Sequence, residues 1–326
     1  MVDVGLYFDL RNPRQWERPW SHVYGRTIEL VEEAERLGCR SAWFSEHHLF
    51  DDGYLTQPLT YMAAVAARTS TIRLGTAIMI GPLREPALVA EETTVVDLIS
   101  NGRVEIGVGA GYRSPEFDLY NMTLDKRYDR NDQLVRELRR FWREGVLTPP
   151  PVQAEIPIWM GYQGPRGARR AGVLGEGLMS VDCSLLEPYY EGLEAGGHDR
   201  STARTCGNVS IYATRDPERD WPKLAPHVAY WADSYRAHAV RGTDFPMPGP
   251  VDPERMRAKP GIVSGFRSIS VATPEVIAEQ IRELVRDTPA KTVFTFVDPG
   301  GGLSDEMVVE HIRCLIEDVA PLVADA

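Results

Sequence analysis

Short apolar runs alternate along the chain with longer stretches in which apolar positions recur every three or four residues. The runs are VGLYF (4–8), SAWF (41–44), TIRLGTAIMI (71–80), RVEIGVG (103–109), IPIWMG (156–161), GLMSV (177–181), NVSIYAT (208–214) and TVFTFV (292–297). Runs of this length, rich in β-branched and aromatic residues, predict strands. TIELVEEAERLG (27–38) sets Ile28, Val31, Ala34 and Leu37 at helical spacing and stops at Gly38. Helices are also predicted over 59–69, 86–102, 125–143, 165–175, 219–241, 274–286 and 304–323. The stretch 86–102 opens on Pro86 and closes on Asn101-Gly102, the usual asymmetry of helix ends. Alternation of strand and helix predicts a parallel sheet with right-handed crossovers. Eight such strands predict an α/β fold of the closed (β/α)₈ TIM-barrel type, with an open doubly wound sheet as the alternative. No composition break marks a linker, so residues 1–326 are expected to form one domain. The Pro- and Gly-rich stretch GTDFPMPGPVDPERMRAKPG (242–261) is a long insertion late in the chain. A lid over about 242–270, mobile or covering the barrel mouth, is expected from it.

Composition narrows the class only a little. The chain has 326 residues, 43% hydrophobic and 25% charged, with a net charge of −11. That balance argues against nonspecific binding to nucleic acid or anionic membrane. Cys39, Cys183, Cys206 and Cys314 are scattered without metal-ligand spacing, as expected of free thiols in a reducing cytoplasm. The N-terminus MVDVGLYFDL lacks the pattern of a signal peptide, and no apolar run is long enough to span a bilayer. A soluble cytoplasmic protein is expected, and no metal site.

In a barrel the chemistry sits at the C-terminal ends of the strands. SEHH (45–48) follows the second strand there. Two tandem histidines point in different directions, so one at most faces a pocket. Without a second His-rich strand end, proton transfer is the better functional use of an imidazole, against a purely structural role. GVGAGY (107–112) alternates glycines after the fourth strand, but its sixth position is Tyr112, so it fails the GxGxxG fingerprint. Such glycines let a flat ligand approach the backbone, or simply make a tight turn. GYQGPRG (161–167) leads into a helix with Arg166 nearby, a possible anion site or an ordinary strand-to-helix loop.

These segments together are recognisable. SAWFSEHHLFDDGY, followed by TIRLGTAIMIGPLREPALVAEETTVVDLISNGRVEIGVGAGYRSPEF, resembles the bacterial luciferase-like flavin-dependent monooxygenase family. The matching elements are EHH after strand two, GTA…P at strand three, and Asp97, Ser100, Gly102 and Arg103 leading to GxGxGY and EF. The segment IPIWMGYQGPRGARRAGVLGEGL and the late VATPEVIAEQI are similar too, so the resemblance runs from about residue 4 to 323.

The resemblance implies a (β/α)₈ barrel with FMN, or in one branch the deazaflavin F420, at its C-terminal mouth. It implies a monooxygenase that takes FMNH2 from a separate flavin reductase and reacts it with O2 to a C4a-peroxyflavin, which oxidises a small organic substrate. His47 matches the family's catalytic histidine, with Glu46 and His48 orienting it or completing the wall. Flavin contacts are implied for Ala77, Ile78, Gly109, Ala110, Gly111, Tyr112, Gly161, Tyr162, Gln163, Gly164 and Arg166. Where luciferase itself has a phosphate-binding arginine this chain has Ala110, so Arg113 or Arg166 is the expected substitute. A cis bond at Ala77–Ile78 and a homodimer through the helices at 59–69 and 86–102 also follow. The alternatives are an F420-dependent oxidoreductase transferring hydride, and a non-catalytic flavin-binding protein. The organic substrate is not named by the sequence.

Overall fold

The structure, a computed structural model, describes residues 2–257 and 268–324. Its sheet is built from β1 (Asp3–Phe8), β2 (Ser41–Phe44), β3 (Arg73–Thr76), β4 (Met79–Ile80), β5 (Val104–Gly109), β6 (Ile158–Met160), β7 (Gly177–Met179), β8 (Thr205–Asn208) and β11 (Ala290–Phe296). The strands run β3-β2-β1-β11-β8-β7-β6-β5-β4, and β3 also pairs with β5. That pairing closes the sheet. β4 continues β3 beyond Ala77–Ile78, so the closed sheet has eight staves, all paired in parallel: a TIM barrel.

The helices lie outside: α1 (Trp20–Arg36), α2 (Pro58–Ala66), α3 (Pro86–Ser100), α4 (Ser114–Leu119), α5 (Arg127–Arg143), α6 (Gly164–Val173), α7 (Leu186–Ala195), α8 (Pro217–Val240), α9 (Pro253–Met256), α10 (Pro274–Val285), α11 (Asp305–Arg313) and α12 (Ala320–Ala324). No helix among the described residues is long and apolar enough to cross a membrane.

Strand periodicity sorts the core into two layers. Val4, Leu6 and Phe8 of β1 face the helices, whereas Tyr7 joins Trp43, Trp159, Phe294 and Phe296 inside the barrel. Three glycines make room for these rings. A Cβ on Gly75 would lie 2.4 Å from the Trp43 ring, one on Gly177 would lie 2.3 Å from the Trp159 ring, and one on Gly5 would lie 2.4 Å from Ser41 Oγ. Large rings opposite glycines fill a barrel too narrow for a ring on every strand.

The Asp97–Arg103 motif sits at the opposite end from the mouth and is structural. The Arg103 guanidinium donates to the carbonyls of Ala66, Thr69, Ile72 and Ser100, so one side chain ties the α2–β3 loop to the end of α3. Asp97 accepts from the backbone N–H groups of Val152 and Gln153.

Three expectations change. The third strand is broken at Ala77–Ile78, whose bond is cis as expected. The seventh stave is Thr205–Asn208, not 208–214. Residues Ile211–Ala213 form β9, which leaves the barrel and pairs with β10 (Ser270–Ala272). Asn208 is the last barrel residue because the turn after it lifts Ile211 onto the outer strand. Helices α4 and α7 were not anticipated; both are short and open on loop-like sequence. Of the expected lid, residues 258–267 lie outside the described residues. The part before them is tied to α8: Val251 N–H donates to Asp233 at 2.9 Å, Arg236 donates to Gly249 O at 3.0 Å, and Trp221 donates to Glu254 at 2.7 Å.

Candidate active site

The loop that leaves β2 carries Glu46, His47 and His48, and all three are buried. The His47 ring is held on both nitrogens. Nδ1 lies 2.8 Å from Glu116 Oε1 and Nε2 lies 2.8 Å from Tyr235 Oη. The same Glu116 oxygen accepts from the His48 backbone N–H at 3.0 Å and from Arg113 at 2.9 Å. Burial alone would raise the Glu116 pKa. Hydrogen bonding and charge from His47, the His48 N–H and the Arg113 charge outweigh it and leave the carboxyl below its ordinary value. An ionised carboxylate only accepts, so Nδ1 carries the proton. With Nδ1 donating to Glu116, Nε2 faces the Tyr235 hydroxyl, as acceptor when the ring is neutral and as donor when it is doubly protonated.

His48 points away from the cavity. Its Nε2 lies 2.9 Å from Glu46 Oε1, while Glu46 Oε2 accepts from the Ile80 N–H at 3.1 Å and forms an ion pair with Arg84 at 3.0 Å. Glu46 thus completes the wall and fixes β4. The orientation of His47, expected of Glu46 and His48, comes instead from Glu116 on α4. No pattern in SPEF marks Glu116 as a partner of His47, because the two are 69 residues apart.

Helix α8 closes the other side. Tyr230, Ser234 and His238 recur every four residues on one face. Tyr230 donates to Asp52 at 2.6 Å, Ser234 bonds Arg11, and the His238 ring stacks on Phe50 at 4.0 Å. Arg11 and Asp52 form a buried ion pair at 2.5 Å. These contacts clamp α8 onto the loops after β1 and β2 and bring Tyr235 to His47.

The mouth holds two connected hollows. One of about 420 Å³ is lined by Tyr7, Glu46, His47, Ala77, Ile78, Gly109, Ala110, Gly111, Tyr112, Tyr162 and Tyr235, among others. The second, of about 560 Å³, shares Tyr7, Ala77, Ile78, Gly161, Tyr162, Gln163 and Tyr235 and extends to Gly164, Pro165, Ser180 and Ser184. Their sizes are those of small-molecule sites. Gly109 and Gly161 flank Ile78, and a Cβ on either would fall 2.8 Å or 2.4 Å from its side chain. Gly111 has a φ of +66°, a conformation that glycine adopts without strain. The far end of the trough is the N-terminus of α6, where unpaired backbone N–H groups favour an anion.

Ten of the eleven expected flavin-contact residues, all but Arg166, thus line one continuous surface with His47. Arg166 is exposed on the first turn of α6, outside both walls. Arg113 is buried and committed to Glu116, His48 O and His238 O, so it does not reach an anion at α6. Tyr162 lines both hollows with its ring, while its hydroxyl is held by Asp132 at 2.5 Å.

Residues 6–291 match the luciferase-like monooxygenase family. Limonene 1,2-monooxygenase of Rhodococcus erythropolis is 39% identical over 323 residues, covering 90% of this chain and 80% of that protein. An F420-dependent glucose-6-phosphate dehydrogenase of Amycolatopsis mediterranei is 26% identical over 230 residues, covering 63% of this chain and 69% of that protein. The alignment with protein y4vJ of Sinorhizobium fredii, 30% identical, spans 64% of this chain and 62% of that protein. Among solved structures, the monooxygenase RslO1 from Streptomyces bottropensis superposes with a TM-score of 0.75 at 21% identity, over 98% of this chain and 99% of that one. The barrel, the residues at its mouth and these matches agree: the chain belongs to the luciferase-like monooxygenase family and is an oxidoreductase.

Proposed function

We propose that this enzyme is a cytoplasmic FMN-dependent monooxygenase that oxygenates a small, neutral, largely apolar molecule, with His47 as its acid/base. The observation that carries the reading is the buried imidazole in the cavity wall, anchored at Nδ1 by an ionised Glu116 with Nε2 turned toward Tyr235. The mouth fits a flavin by shape and donors. Gly109 and Gly161 let the Ile78 side chain pack against the strand ends that line the hollows, and the trough ends on the α6 N-terminus beside Ser180, Asp182 and Ser184. Ala77, Ile78, Gly109, Ala110, Gly111 and Tyr112 would hold the ring system, and Gly161, Gln163 and Gly164 the phosphate end. Reduced FMN, when bound, would supply the electrons that activate O2. His47 would hold and move protons at Nε2. The loops after β1 and β2, clamped to α8, would exclude water. Both carboxylates of the smaller hollow are already paired, Glu46 with Arg84 and Glu116 with Arg113. A charged substrate would find no free counter-charge there, and the terpene named for the Rhodococcus relative is of the kind the wall suits.

A separate flavin reductase would deliver FMNH2, and the enzyme would act as a homodimer. Leu88, Val95, Leu98 and Ile99 support the dimer: they are exposed along one side of α3, at 53%, 50%, 39% and 45%. The test is anaerobic fluorescence titration with FMNH2 and with reduced F420, followed by O2 uptake with an alkene and a flavin reductase. Preferential FMNH2 binding with oxygenated product supports the reading. Preferential F420 binding with O2-independent hydride transfer overturns it.

A further inference from the structure

Tyr235 is the least expected group in the mouth. It comes from α8, far from the motifs at strand ends, yet it lines both hollows and meets His47 Nε2 at 2.8 Å. We propose that Tyr235 is a catalytic residue through which His47 exchanges protons with the reacting atoms. This rests on the reading of His47 as acid/base and assigns the route its proton takes.

The geometry limits the alternatives. His47 Nδ1 is committed to Glu116, so only Nε2 can give or take a proton, and the atom it faces is Tyr235 Oη. The phenol lines both hollows and so stands on a path from the imidazole to a molecule held there. In the donating direction the doubly protonated ring passes its Nε2 proton to Tyr235 Oη as the phenol gives its own proton to an anionic oxygen in the cavity. One N–H bond and one O–H bond break, two O–H bonds form, and the ring is left neutral with Nδ1–H on Glu116. No net charge rests on the phenol, whose ionisation is disfavoured by burial.

The placement of Tyr235 is enforced. Its neighbour Ser234 bonds Arg11, Tyr230 bonds Asp52 one turn before, and His238 is stacked on Phe50 one turn after. Tyr112, 43% exposed, also hydrogen-bonds Tyr235, and its ring centroid lies 6.0 Å from that of His47.

The test uses the full chain and Tyr235→Phe, which removes one oxygen and keeps the ring packing. In the flavin-free protein, ¹⁵N-histidine NMR should show His47 as the Nδ1–H tautomer. Tyr235→Phe should shift the Nε2 resonance while the Nδ1–H bond to Glu116 stays. In stopped flow with FMNH2 and O2, Tyr235→Phe should slow flavin reoxidation about 10–100-fold and move the His47 limb of its pH profile. Added to His47→Ala it should cost nothing further. An unchanged Nε2 resonance, or losses that multiply in the double variant, overturns the proposal. So does a normal rate in Tyr235→Phe while His47→Ala is slow, which leaves the His47 reading standing. Normal rates in both variants overturn both.

Discussion

Glu116→Gln removes one negative charge from a buried place where three donors meet. The Glu116 side chain is fully buried, as is that of Arg113. Gln keeps an acceptor at Oε1 for His47, the His48 N–H and Arg113, but those bonds lose their charge assistance. The new amide NH2 replaces Oε2, a buried oxygen with no hydrogen-bond partner, so it too is unsatisfied. Arg113 keeps the carbonyls of His48 and His238 and the Phe50 ring at 4.4 Å, but no counter-charge. Breaking a buried pair outright costs about 3–5 kcal/mol; retaining the acceptor brings this to about 2–4 kcal/mol. For a chain of this size that lowers the Tm by roughly 3–6 °C.

The pH dependence gives the sharper test. The folded pKa of Glu116 is depressed, so its stabilisation is present above the ordinary carboxylate value of about 4.3 and is lost as pH falls through the depressed value. The gap between wild type and variant is therefore full at pH 7 and closes in acid. Calorimetry of both proteins from pH 3 to 8 reads it directly. Equal midpoints at pH 7, or a gap that persists undiminished in acid, would refute the argument. The amide can also present N–H to Nδ1 and turn the ring to the Nε2–H tautomer. Turnover should then fall by about 10²–10⁴.

Gly75→Ala puts a Cβ 2.4 Å from the Trp43 ring and should destabilise by about 1–3 kcal/mol in urea unfolding; an unchanged midpoint would mean that the barrel core has slack. Arg103→Ala removes the donors to four carbonyls at the base of the barrel and should cost about 3–5 kcal/mol while FMN affinity in the surviving folded fraction stays at the wild-type value. Burial pushes the Asp9 carboxyl up to about 7 against the opposing charge of Arg11. A raised folded pKa means that the fold binds the proton more tightly, so this group costs stability as pH rises from about 4 toward 7. Asp9→Asn should therefore raise the Tm at pH 8 and leave it near wild type at pH 4, as a paired scan would show.

The barrel was legible because strand and helix periods alternate cleanly, and because Tyr7, Trp43, Trp159, Phe294 and Phe296 fall on the inward phase of their strands. That the strand-end segments share one surface at the mouth was legible too, since strand ends in a barrel converge wherever they occur in the chain. What stayed hidden was set by contacts across long separations. Glu116 was matched as part of the EF element, but nothing there marks it as the partner of His47, and Tyr235 is one polar residue in a helix whose register depends on Arg11 and Asp52. Arg113 looks like a phosphate ligand from its place after a glycine loop, yet its side chain turns inward to neutralise Glu116. The exit of β9 from the barrel was hidden because NVSIYAT is apolar throughout, and its partner β10 lies beyond the insertion.

His47→Ala, assayed for Tm, FMNH2 affinity and product formed per flavin oxidised, tests the central claim most directly. The account predicts a Tm and an affinity near wild type, turnover down by about 10²–10⁴, and flavin oxidation uncoupled from product. Full coupled turnover in the variant, or a parallel loss of stability and flavin affinity that explains the lost activity, would contradict it.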